Sequence, residues 1–152
     1  MMGSTEESHV KLICEEMLPA IEKAKSDGEL HNLENIDAFC EKNVVEVENT
    51  KKVMEEGKKL GLAVNFHAEE LTNIGGAEMG AAIGARAMSH LEHISAEGIE
   101  AMANKTFRRN AYGFAQNHVP VWIRGVIVAL GSDFNPNAYC FAMPMIMHLD
   151  LE

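Results

Sequence analysis

Residues 62–92 read LAVNFHAEELTNIGGAEMGAAIGARAMSHLE, and this stretch decides the fold. Its first seven residues, LAVNFHA, form a short apolar run with β-branched and aromatic content, the pattern of a half-buried strand. Gly75 and Gly76 follow as a turn, and AEMGAAIGARAM at 77–88 is an Ala-rich helical segment. AMSHLE at 87–92 then returns to strand character. Strand, helix and strand in so short a span make a βαβ unit, which needs a parallel sheet.

The same alternation continues on both sides. Upstream, residues 48–60 are helical with Gly61 as a stop, and NIDAFCE at 35–41 is a partly alternating strand. Residues 9–26 carry Val10, Ile13, Cys14, Met17 and Ile21 at helical spacing, with Pro19 weakening the middle of the helix and Ser26-Asp27-Gly28 ending it. Downstream, Ser95 is placed to cap a helix with Glu97 in its first turn, and Ile99 and Met102 face a core. GVIVALGSD at 125–133 is a nearly continuous apolar run ending in polar residues, as in a strand covered on both faces. The segment KTFRRNAYGFAQNHVPVWIR at 105–124 mixes four basic residues with four aromatics, shows no clean period and receives no assignment. The expectation is α/β architecture in one domain spanning residues 1–152.

Composition narrows the partners. A formal net charge of -10 opposes a phosphate-binding surface, since nucleic-acid affinity rests on Lys and Arg displacing counterions. No stretch approaches the ~20 apolar residues that span a bilayer. The opening MMGSTEESHVKL lacks the basic and apolar regions of a signal peptide, so a cytoplasmic location is expected. Cys14, Cys40 and Cys140 stand at unrelated spacings without a CxxC pair, which suits reduced thiols rather than disulfides or a zinc knuckle.

Three polar residues stand at the ends of the expected strands: His67 after LAVNF, His90 after AMS and Asp133 after GVIVALGS. In a parallel α/β barrel the carboxyl ends of the strands share one face, so such residues converge although distant in sequence. The intervals of 23 and 43 residues suit one and two βα units, at ~30 residues each. Imidazole and carboxylate donors suit zinc or iron, and hydrolysis is the chemistry that such an ion assists. Glu70, in the loop leaving its strand, is placed to transfer protons. On spacing alone the bland reading is the commoner one, with a strand-end His as a satisfied polar group and GSD as a turn. His93 and His118 read as surface residues, the Met143, Met145, Met147 alternation as a core-facing side, and EVENTKKVMEEGKK as a solvated helix face.

A resemblance raises the sharper reading. FHAEEL at 66–71, GGAEMGAAIGARAMSHLEHISAEGIEAMA at 75–103 and GVIVALGSDFNPNAYCFAMPMIMHL at 125–149 resemble, in order, segments of the imidazolonepropionase family, and LHNLENIDAFCEK resembles the strand before them. The resemblance implies part of an amidohydrolase-type (β/α)8 barrel, roughly strands 4 to 8. It implies one zinc or iron ion, with His67 and Asp133 as ligands. Glu70, His90 and Asp133 are implied as catalytic residues, and Glu70 and Asn135 as substrate contacts. The implied reaction opens the cyclic amide of 4-imidazolone-5-propanoate to N-formimidoyl-L-glutamate.

The sequence also departs from the family's pattern. None of the seven histidines has another two positions away, so the family's first-strand HxH ligand pair lies outside this sequence. Residues 105–124 diverge where the family has its seventh strand. The expectation is therefore a partial site, inactive alone. The competing expectations are a non-catalytic chain that associates with a full-length subunit or with a second copy, and another cyclic amidohydrolase or deaminase.

Overall fold

The computed structural model describes residues 5–104, 112–114, 124–129, 131–133, 135–136 and 143–144. Helix α1 spans Glu6–Leu12, capped by the Thr5 hydroxyl, which accepts from the Ser8 N–H at 3.3 Å. A π-helical turn at Ile13–Met17 joins it to α2, Leu18–Ser26, in which Pro19 lies in the first turn. The expected helix over 9–26 is thus two helices. Proline has no N–H to give the preceding turn and its ring crowds the carbonyl four residues back, and a widened turn accommodates both defects.

The strand expected at 35–41 is also divided, into β1 (Asn35–Ile36) and β2 (Phe39–Cys40). Both halves pair in parallel with β3, Ala63–Ala68, Asn35 opposite Ala63 and Phe39 opposite His67. The register is the same on either side of Asp37-Ala38, so the interruption inserts no residue. Helix α3, Val47–Lys59, ends where Gly61 takes a left-handed φ of 78°. There Leu62 N–H donates to the Gly57 carbonyl at 3.2 Å and Gly61 N–H to that of Lys58 at 2.9 Å. This paired closure ends the helix and turns the chain into β3.

Helix α4 spans Gly76–Ile83 and stops five residues short of the expected Met88. Gly84, at φ 72°, closes it in the same way, with Ala85 N–H donating to Gly80 O at 2.9 Å. Strand β4, Ala87–His90, then pairs in parallel with β3, and α5, Ala96–Asn104, follows. Ser95 caps α5 as expected, its hydroxyl accepting from Gly98 N–H at 2.8 Å. Within the unassigned segment, Tyr112–Phe114 forms β5, which pairs in parallel with β4 on one side and with β6, Ile127–Val128, on the other. Of the strand expected over 125–133, the described structure gives only this short β6.

The sheet therefore runs β1/β2, β3, β4, β5, β6, every pair of these strands parallel and, with β1/β2 taken as one, every neighbour the next in sequence. Val64, Phe66 and Ala68 alternate in burial with Ala63, Asn65 and His67 along β3. The buried set meets α4 closely: a methyl built on Gly80 would stand 2.5 Å from Met88 Sδ and 2.7 Å from Phe66 Cζ. Phe66, Met88, Met54, Leu91 and Met102 form the centre of this layer, each at most 1 % exposed. Each such side chain contributes about 1.5–3 kcal/mol by leaving water. The opposite face carries Asn35, Asn65 and His67, with Asn65 Nδ2 donating to Asn35 Oδ1 at 2.8 Å.

Candidate active site at the strand ends

His67 is the penultimate residue of β3, and alternation puts its ring on the face away from the helices. Two residues of the neighbouring β1/β2 segment share that parity. Phe39 meets the imidazole edge-on with centroids 6.3 Å apart, and Asp37 Oδ1 lies 3.1 Å from His67 Nδ1. Since an ionised carboxylate only accepts, the ring nitrogen donates. This bond, outweighing partial burial, raises the His67 pKa above its ordinary value, and the more distant charge of Asp133 acts in the same direction.

His90 reaches the same place by a different backbone route. Regular alternation along β4 would return His90 to the helix side with Met88. Instead His90 and Leu91 both take left-handed φ values, 73° and 74°, which is costly for residues with a Cβ. The His90 ring lies beside His67, centroids 5.4 Å apart and planes tilted by 39°. Its Nε2 is 3.5 Å from Glu70 Oε2 and its Nδ1 is 3.5 Å from Glu92 Oε1. The imidazole stands between two carboxylates, and Glu92 Oε2 is buried with no partner among the described residues.

The loop that carries Glu70 is held from below by Glu41, a carboxylate 1 % exposed at the end of β2. It accepts from the N–H groups of Leu71 at 3.0 Å and Thr72 at 3.4 Å, from the Thr72 hydroxyl, and from Lys42 N–H at 3.0 Å. Burial alone would push the Glu41 carboxyl up, but these bonds together outweigh it and hold it below the ordinary value. Glu69 turns inward with φ 55° and accepts from Gly75 N–H at 3.1 Å, at the start of α4. Burial pushes its carboxyl up to about 7, against bonds from Ala77, Gly75 and Gly76 and with the charge of Glu78 adding to the rise. Sequence reading did not single out Asp37, Glu41, Glu69 or Glu92. The available signal was acidic residues inside or directly after apolar strand runs, where a charge needs a partner.

Asp133, also left-handed at φ 49°, lies beyond β6, and Asn135 Nδ2 donates to its carbonyl at 2.8 Å and to its Oδ2 at 3.3 Å. The structure thus brings His67, His90 and Glu70 together, ties Asn135 to Asp133, and leaves Asp133 as a charge felt at His67. Imidazole and carboxylate suit a zinc or iron ion in chemical type. Among the described residues, no group of three or more His, Cys, Asp or Glu side chains is placed to hold a metal ion. His67 and Asp133 match such an ion in donor type, imidazole nitrogen and carboxylate oxygen.

No family model matches the chain. Among curated proteins, it is 49% identical over 97% of its length to a probable imidazolonepropionase of Nematostella vectensis. It is 48% identical over 87% to one of Mus musculus, and 41% over 90% to one of Dictyostelium discoideum. The chain spans about a third of the length of these relatives, 33% to 36%.

Proposed function

The chain belongs to the imidazolonepropionase family, and on that premise we propose that it supplies the later strand ends of a hydrolytic site that opens the cyclic amide of 4-imidazolone-5-propanoate. The observation that carries the reading is the grouping of His67, His90 and Glu70 at the carboxyl ends of adjacent parallel strands, with ring centroids 5.4 Å apart. A sheet whose neighbours follow chain order without reversal supports an amidohydrolase-type barrel wall, because doubly wound sheets reverse at a switch point.

In this reading His67 and Asp133 hold a zinc or iron ion, which supplies Lewis acidity to the site when bound. Water adds to the ring carbonyl carbon, the carbon–nitrogen bond breaks, and the departing nitrogen takes a proton, giving N-formimidoyl-L-glutamate. Glu70 removes the proton from water and returns it to the nitrogen, with Asp133 as the other candidate carboxylate for that role. His90 faces Glu70 through Nε2 and orients the carbonyl as negative charge develops there. Asn135 contacts the substrate. Among the described residues no helix is long and apolar enough to cross a membrane, and a cytoplasmic enzyme is the reading adopted.

The purified chain, given Zn²⁺ or Fe²⁺ and substrate, is expected to leave the ring absorbance unchanged. Mixing it with the remaining segments of a full-length relative is expected to restore ring opening, and His90→Ala to abolish it again. Enzyme-like turnover by the chain alone would refute the partial site, and no turnover in any mixture would refute the catalytic reading. A second reading, docking without catalysis, draws on β1 and β2, whose outer edge pairs with no other strand among the described residues apart from a bridge between Cys40 and Val45. A complex seen by sedimentation with no ring opening would favour it.

A further inference from the structure

Asp37 occupies the gap between two strands that share one register, so its backbone is held on both sides while its side chain projects from the face that carries His67. Ala63 N–H donates to Glu34 O at 2.8 Å below the gap, and His67 N–H donates to Ala38 O at 2.9 Å above it. Backbone pairing therefore holds both partners of the 3.1 Å contact between Asp37 Oδ1 and His67 Nδ1. Phe39, edge-on to the ring, limits its rotation from the same side.

We infer that Asp37 is a positioning residue, fixing His67 as the Nδ1–H tautomer so that the ring's lone pair is preset on Nε2 for a cation. This rests on His67 as a metal ligand, as proposed above, but can fail independently of it. A carboxylate behind a histidine selects the tautomer and the ring orientation together. Without it the neutral ring divides between tautomers and turns about its side-chain bonds, and part of the binding energy goes into ordering it. Loss of such a partner typically weakens metal affinity about 10–100-fold.

The test is ¹⁵N nuclear magnetic resonance of the His67 ring in the 152-residue chain, at a pH high enough for the neutral imidazole. The wild-type ring is expected as the Nδ1–H tautomer. Asp37→Ala is expected to move it to a mixed or Nε2–H population, and Asp37→Asn, which keeps an acceptor oxygen, to restore Nδ1–H. A wild-type His67 with the proton on Nε2, or in the mixture of an unconstrained imidazole, overturns the inference without need of a variant. So does an Asp37→Ala ring that keeps Nδ1–H in a chain whose remaining amide spectrum is unchanged.

Titrating Zn²⁺ into the same samples separates the two ideas. The Nε2 resonance of His67 is expected to shift, with a midpoint about 10–100-fold higher in Asp37→Ala. Tautomer control by Asp37 with no zinc response at His67 would remove His67 as a ligand and leave the positioning role standing. A zinc response at His67 with the same midpoint in Asp37→Ala would keep the ligand and remove the positioning role.

Discussion

Glu41 and His90 show two ways in which single residues set the chemistry at these strand ends. Glu41 has its charge fully engaged by hydrogen bonds, and its role is to hold the loop on which Glu70 stands. Replacing it with Gln puts an N–H donor where the Leu71 and Thr72 donors need an acceptor. We expect Glu41→Gln to destabilise the fold by about 1–3 kcal/mol near pH 7. Because the folded Glu41 pKa is depressed, its contribution is complete above the ordinary Glu value of about 4.3 and is lost as pH falls through the lower folded value. Urea midpoints of wild type and variant should therefore converge at acid pH, and a constant gap would rule out the charged state as the source. His90 uses backbone strain instead: two successive left-handed residues turn its ring from the helix layer toward His67. Strand-end histidines were visible in the sequence. The reversal of alternation that makes His90 useful was not, because nothing in AMSHLE marks a non-glycine residue for positive φ.

At the scale of elements, close contact between α4 and the sheet places the β3 and β4 ends side by side. Gly80 lets the helix backbone approach Phe66 and Met88, and a methyl there has no room. Gly80→Ala should cost about 1–3 kcal/mol despite alanine's better helix propensity, as read from urea denaturation. An unchanged or raised midpoint would show that Phe66 and Met88 move aside freely. The glycines also explain which boundaries could be read. Gly61 follows a clean helical period and marks its stop, whereas Gly84 sits in an Ala-rich run whose composition continues as helix to Met88. Only the left-handed turn at Gly84, required to bring Ala87 into register with Asn65, ends α4 at Ile83. For the Pro19 helix the sequence showed a weak point, and the structure fills it with a widened turn.

For the whole molecule, parallel order was legible from the alternation of strand and helix runs, and the candidate site from their polar ends. The strand within 105–124 was not, because its three residues are set by pairing between β4 and β6 rather than by any period of their own. Stability should follow the same geometry. β3 lies between paired neighbours and under buried side chains, while β1 is an edge of the described sheet. Hydrogen exchange should find the bonded amides of β3 among the slowest and the β1 amides faster, since exchange reports local opening. Equal protection at both would indicate that the β1/β2 edge is covered in solution, as in a dimer or larger assembly.

The division of one strand into β1 and β2 has a further consequence. Because both halves keep one register against β3, the distance along the chain from Asn35 to Phe39 works as a ruler marked in pairs of residues. The acid at position 37 can be exchanged for another side chain and the marks stay aligned. Adding or removing one residue there would slide Phe39 off His67 and send every side chain beyond it to the opposite face. At this point of the wall residue count is constrained more tightly than residue identity. A length change of one at Asp37-Ala38 should therefore do more damage than any single substitution in the same pair.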